Sequence, residues 1–119
     1  MAGRANRHRG EVEAVIDGER RILCLTLGAI AQLESVFGVD NIADLASRFA
    51  SGRIGAAELI AVIAAGLRGG GNLVDDEDVR DMRVDGGLEG AVRLAAELLA
   101  TAFTPGQAPE NPIRPQRAN

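Results

Sequence analysis

Two residues, Asp17-Gly18, place the tightest constraint on how this chain can fold. A two-residue hairpin loop whose twist matches that of its strands needs positive φ at both positions, and Asp-Gly is one of the few pairs that adopts it cheaply. The flanks agree with that turn. Residues 11–16 alternate, with Val12, Ala14 and Ile16 on one face and Glu11, Glu13 and Val15 on the other, the period of a half-buried strand. Residues 20–27 are mostly aliphatic, with Ile22 and Cys24 on one face and Leu23, Leu25 and Leu27 on the other. An antiparallel hairpin of residues 11–16 and 20–26 follows, its second strand covered on both sides.

From residue 28 the apolar period lengthens to that of a helix. Ile30, Leu33, Val36 and Phe37 form one stripe, with Thr26 as N-cap and Gly38 as stop. A short second helix starts after Asp40 or Asn41, buries Ile42, Leu45 and Phe49, exposes Asp44 and Arg48, and ends near Gly52. The third, residues 56–67, carries Leu59, Ile60, Ile63, Ala64 and Leu67 on one broad face and is expected to be the most buried. Gly69-Gly70-Gly71 should end it as a flexible loop, because consecutive glycines forfeit too much backbone entropy for a helix. Asp75 then caps a short acidic helix, with Val74 stapled against Val79, that runs until Gly86-Gly87. Residues 88–103 form the last helix, with Leu88, Val92, Ala95, Leu98, Leu99 and Phe103 at helical spacing.

The expected fold is therefore α+β and mostly helical: an N-terminal β-hairpin packed on four to five short α-helices, followed by a disordered Pro-rich C-terminal tail. At 119 residues the chain holds one domain. Residues 1–9, with Arg4, Arg7, His8 and Arg9, read as a flexible basic arm, 10–103 as a single globular domain, and 104–119, with all four prolines, as the tail.

Composition narrows the function by exclusion. With no Trp, no Tyr and three Phe, the chain lacks the aromatic platforms on which single-stranded nucleic acid stacks. A net charge of −4 does not suit the neutralisation of many phosphates, so nucleic acid is not an expected partner, and the arginines of the arm read as solubilising. All thirteen basic residues are arginine, which together with the Ala and Gly excess suggests a GC-rich bacterial genome. The longest apolar run, residues 54–67, is interrupted by Glu58 and falls short of the ~20 residues that span a bilayer, so no membrane segment is expected. A lone Cys24 makes no internal disulfide, and the start of the chain lacks the apolar stretch of a secretory signal; a cytoplasmic protein is expected.

None of the reactive residues falls in a catalytic pattern. His8 sits among arginines with nothing to hold it, and Cys24 lies in an aliphatic strand, where a buried core thiol is the better reading than a nucleophile. The triple glycine follows a helix rather than a strand, and the chain has no lysine, so a phosphate loop is not met. Starting a calcium loop at Asp76 puts Arg80 at its fifth position and no glycine at its sixth; helix capping explains the acidic run instead. No enzyme activity, cofactor or metal is expected.

Four pieces of wording carry a family resemblance. They are Asn6-Arg7-His8-Arg9-Gly10-Glu11, the run Leu25-Thr26-Leu27-Gly28-Ala29-Ile30-Ala31-Gln32-Leu33-Glu34, the block Gly66-Leu67-Arg68-Gly69-Gly70-Gly71, and Asp85-Gly86-Gly87. In this order and spacing the chain resembles the small protein encoded between the major tail protein and the tape-measure protein in bacterial gene transfer agents and siphophage-like prophages. That family is usually read as a tail assembly chaperone and has also been labelled a tail tube protein.

The resemblance implies a non-enzymatic role. A tail assembly chaperone binds the tape-measure protein, assists polymerisation of the major tail tube protein, and is not expected in the mature particle. The alternative is a structural tube component of the same particle. Self-association is left open by the sequence. Leu67, Leu73 and Val74 are the candidate partner-binding residues, on the premise that the glycines beside them let a lid move; the competing reading is that each simply closes the core. ATP, GTP or a divalent cation should leave the melting temperature unmoved, since a ligand that binds only the native state must raise it; thermal-shift measurement checks this, and a rise of several degrees would contradict it.

Overall fold

The structure is a computed structural model and describes residues 10–103; the expected arm and tail, with His8 and the four prolines, lie outside the described residues. It opens with strands β1 (Glu11–Ile16) and β2 (Glu19–Cys24), paired antiparallel from Glu11↔Cys24 to Ile16↔Glu19. Asp17 (φ 54°) and Gly18 (φ 79°) supply the two positive-φ positions of the turn. Val12 and Ile16 are buried, and Val15, on the opposite face, is exposed.

The second strand is shorter than its aliphatic run. Thr26 already caps helix α1 (Leu27–Phe37), its Oγ1 accepting from the Ala29 N–H at 3.1 Å while its carbonyl accepts from Ile30 at 2.9 Å. Leu27 is consequently the first helical residue and 86% exposed rather than part of a strand face. The α1 stripe is also narrower than its spacing implies. Leu33 is buried and Ile30 and Phe37 are half-buried, but Val36 faces solvent, because α1 rests on α2 (Ile42–Ala50) and α3 (Ala56–Gly69) along one side only. Gly38, at φ 66°, closes α1. Asn41 caps α2 by accepting from Asp44 N–H at 3.0 Å, and α2 buries Ile42, Leu45 and Phe49.

Helix α3 is the centre of the molecule. Leu59 and every residue from Val62 to Leu67 are buried, and α3 packs on β2, on α1, on α4 (Asp76–Arg80) and on α5 (Gly87–Phe103). Gly66 lets α5 approach, since a Cβ there would stand 2.8 Å from Leu98 Cδ1 and 3.3 Å from Leu23 Cβ.

The glycine run behaves differently from a flexible loop. Gly69 is still helical and Gly70 caps α3. Both lie on the outer edge of β2, where a Cβ on Gly69 would overlap the carbonyl oxygen of Cys24 and one on Gly70 that of Ile22. Asn72 completes the contact, its Nδ2 donating to the carbonyls of Ile22 (3.1 Å) and Leu67 (3.0 Å) and its Oδ1 accepting from Arg21 Nη1 (2.9 Å). These glycines serve a close approach of two backbones, and the entropic cost of holding them helical is offset by packing that no other residue permits.

Helix α4 also ends sooner than expected, at Asp81 rather than at Gly86-Gly87. The freed residues cross to β1. Val84 bridges Ile16, the Asp17 N–H donates to the Arg83 carbonyl at 2.8 Å, and the Asp85 N–H donates to the Val15 carbonyl at 2.9 Å. Gly86 (φ 90°) and Gly87 (φ 69°) then turn the chain into α5, which buries Ala91, Leu94, Ala95, Leu98 and Leu99 against α2, α3 and β1. Leu88 projects from its first turn, 75% exposed. The architecture is thus a two-stranded antiparallel hairpin followed by five helices.

Two glycine substitutions test this account in one set of melting curves. Gly70→Ala should destabilise by ~1–3 kcal/mol, because the added methyl meets backbone that cannot give way. Gly28→Ala, in α1 with open space around it, should be neutral or stabilise by up to ~1 kcal/mol.

Candidate partner-binding surface

The three residues singled out from the sequence separate in space. Leu67 is wholly buried and belongs to the core, so it is not contact surface in this fold. Val74 is half-buried against the same core, and its carbonyl accepts from Arg68 Nη1 at 3.3 Å. Leu73 is 99% exposed. The cause is the Asn72 clamp: with its amide drawn onto the carbonyls of Leu67 and Ile22, the chain on either side turns inward and Leu73 is left outside. The glycines therefore hold this segment down, against the expectation that they free a lid.

Periodicity assigned Leu27, Val36 and Leu88 to apolar faces, yet all three are exposed beside Leu73 in the set of large aliphatic residues facing solvent. Leu27 and Leu88 stand in first helical turns, and the neighbour that would cover them is missing on that side. Nothing in the sequence separates such a position from a core position, because the spacing is the same.

Hollows lie on more than one side of the surface, one of about 420 Å³ between α1 and α3 with Gly28, Gln32 and Arg68 in its walls. Another, of about 630 Å³, runs between β1 and α5, with Ala14, Val15, Asp85, Arg93 and Leu94 in its walls. A third, of about 490 Å³, is lined by Met82, Val84, Leu88 and Ala91 among others. Val84 borders the last two. Glu13, Arg20 and Glu97 also line the hollow between β1 and α5, and two of these charges pair across the strands, Arg20 Nε meeting Glu13 Oε2 at 2.6 Å. Arg48 likewise joins Glu58, whose other oxygen accepts from Gly55 N–H at 3.1 Å and so ties α2 to the start of α3.

The acidic run does what its spacing implies. Asp75 Oδ1 accepts from the Asp78 N–H at 2.9 Å and Asp78 Oδ2 accepts from the Asp75 N–H at 3.0 Å, a reciprocal cap on α4. Cys24 is half-buried rather than a core thiol, since β2 ends there at the rim of the sheet. Among the described residues, no group of three or more His, Cys, Asp or Glu is placed to hold a metal ion, and no helix is long and apolar enough to cross a membrane. Leu27, Val36, Leu73 and Leu88 present aliphatic side chains to solvent.

The family described as phage tail tube protein, GTA-gp10, matches residues 9–104. The chain belongs to this family. The match takes in both strands and all five helices, so the whole described architecture falls within the phage tail tube, GTA-gp10 family. The description names a structural protein of a phage-like tail and supports tail membership; it does not single out an assembly chaperone. No curated protein matches the chain, and no solved structure does.

Substitutions at the two leucines should part company. Leu73→Asp is expected to stay within ~0.5 kcal/mol of the parent in a denaturant titration, as surface changes do. Leu67→Ala should lose ~2–5 kcal/mol, the cost of an aliphatic cavity in a packed core.

Proposed function

We propose that this protein is a non-enzymatic structural component of the tail of a gene transfer agent or related phage-like particle, incorporated with the tail tube. The observation that carries this reading is the match over residues 9–104 to a family described as a tail tube protein. The surface is compatible with it, because Leu27, Val36, Leu73 and Leu88 give the molecule aliphatic contacts on several sides, as a subunit with several neighbours requires. On this reading its partners are the major tail tube protein, the tape-measure protein and other copies of itself, and it is made in the bacterial cytoplasm before the particle leaves.

A second reading is favoured by one specific feature. The described residues commit most of their length to helix and hold a single two-stranded sheet, and exposed aliphatic side chains on helical turns are the chemistry that receives apolar helical segments. A tail assembly chaperone bound to the tape-measure protein would use that surface and then depart.

Quantitative mass spectrometry of purified particles separates the two. A structural component is expected in the tail fraction, in several copies per particle. A chaperone would be missing from particles and would instead be recovered from lysates bound to the tape-measure protein.

A further inference from the structure

Two peptide bonds of this chain join an aspartate to a glycine, Asp17-Gly18 and Asp85-Gly86, and none joins an asparagine to one. In such a pair the side-chain carboxyl group and the main-chain nitrogen of the next residue can close a five-membered ring, and glycine offers that nitrogen with no Cβ to shield it. As sequence the two pairs are equivalent.

The fold treats them differently. Asp17 is held twice by Arg83: its N–H donates to the Arg83 carbonyl at 2.8 Å, and its Oδ1 accepts from the Arg83 N–H at 2.9 Å. Swinging that carboxyl group onto the Gly18 nitrogen breaks the second bond and twists the tight turn between β1 and β2. Asp85 has only its main chain secured, through the N–H that donates to the Val15 carbonyl. Its side chain is exposed and makes no hydrogen bond or ion pair among the described residues, and the Gly86 N–H is likewise unbonded there. Gly87 follows, so no side chain resists rotation on that side.

Asp85 also stands where β1 is tied to α5. Its N–H holds the Val15 carbonyl, and its own carbonyl oxygen lies 2.1 Å from where a Cβ on Gly90 would stand. Rerouting the main chain through the Asp85 side chain inserts a methylene between these two contacts. They then no longer fit together.

We propose that Asp85-Gly86 is a site of spontaneous aspartate isomerisation, that the isoaspartyl product loosens the start of α5, and that the fold protects Asp17-Gly18. The Gly86 nitrogen attacks Cγ of the Asp85 carboxylic acid, and the hydroxyl leaves as water with the nitrogen's proton, closing a succinimide. Water then adds to the α-carbonyl of the ring, and the bond from that carbon to the Gly86 nitrogen breaks. The nitrogen stays on Cγ and the former α-carbonyl becomes a free carboxylate. One water is lost and one regained, with no change of oxidation state. The new α-carboxylate is an acceptor for a methyl group from S-adenosylmethionine.

Ageing the full-length protein at neutral pH tests the assignment. Isoaspartate is read by methyl transfer from labelled S-adenosylmethionine with an isoaspartyl carboxyl methyltransferase, and placed by peptide mapping. In the folded protein it should accumulate at residue 85 several-fold faster than at residue 17. In denaturant the two positions should react at similar rates, because only the fold distinguishes them. Asp85→Glu, which would need a larger ring, should abolish the signal from that position. The aged parent should melt below the fresh protein, and aged Asp85→Glu should not. Equal labelling of the two positions in the folded chain, a preference that persists in denaturant, or no labelling at 85 over a period that converts the denatured chain overturns the proposal. An aged parent rich in isoaspartate at 85 that melts like the fresh protein overturns the loosening of α5.

Discussion

The contact between the C-terminal end of α3 and the outer edge of β2 is the constraint on which the rest of the molecule depends. Gly69 and Gly70 place backbone on the carbonyls of Cys24 and Ile22, and Asn72 bonds the Ile22 carbonyl while holding the last turn of α3 through Leu67. A two-stranded sheet has little independent stability in water. Here it is held by a helix whose own face is almost wholly buried, and Leu23 of β2 sits where α3 and α5 converge at Gly66. Burying aliphatic side chains of this size yields ~1.5–3 kcal/mol each, so Leu23, Leu67 and Leu98 supply much of what a small core has available.

That arrangement gives the sheet its asymmetry. One edge is consumed by the fold, by main chain that only glycine permits. The other is met for a single rung by residues 83–85 before paired glycines divert the chain into α5.

The exposed aliphatic residues extend the same theme. Leu27, Val36, Leu73 and Leu88 are each placed outside the core by a local device: a helix start, a one-sided helix, a clamp on the preceding residue, and the first turn after a glycine pair.

Local rules in the sequence determined the hairpin, its register and most of the helix ends. Asp17-Gly18 admits one turn type, Thr26, Asn41 and Asp75 each accept from the backbone three residues on, and Gly38 stops α1, all within a few residues of the cause. The family resemblance was legible for the same reason, since it resides in contiguous wording. Tertiary structure decided what those rules leave open. Whether Gly69 and Gly70 move or lock depends on a strand more than forty positions away, and whether Leu67 or Leu73 meets solvent depends on which way Asn72 is pulled. Helical spacing reports that a face is apolar, but it carries no information about whether a neighbour arrives to cover it. That is settled by packing between distant segments, which set Gly69 and Gly70 against β2 and put Leu67 inside the protein and Leu73 on its surface.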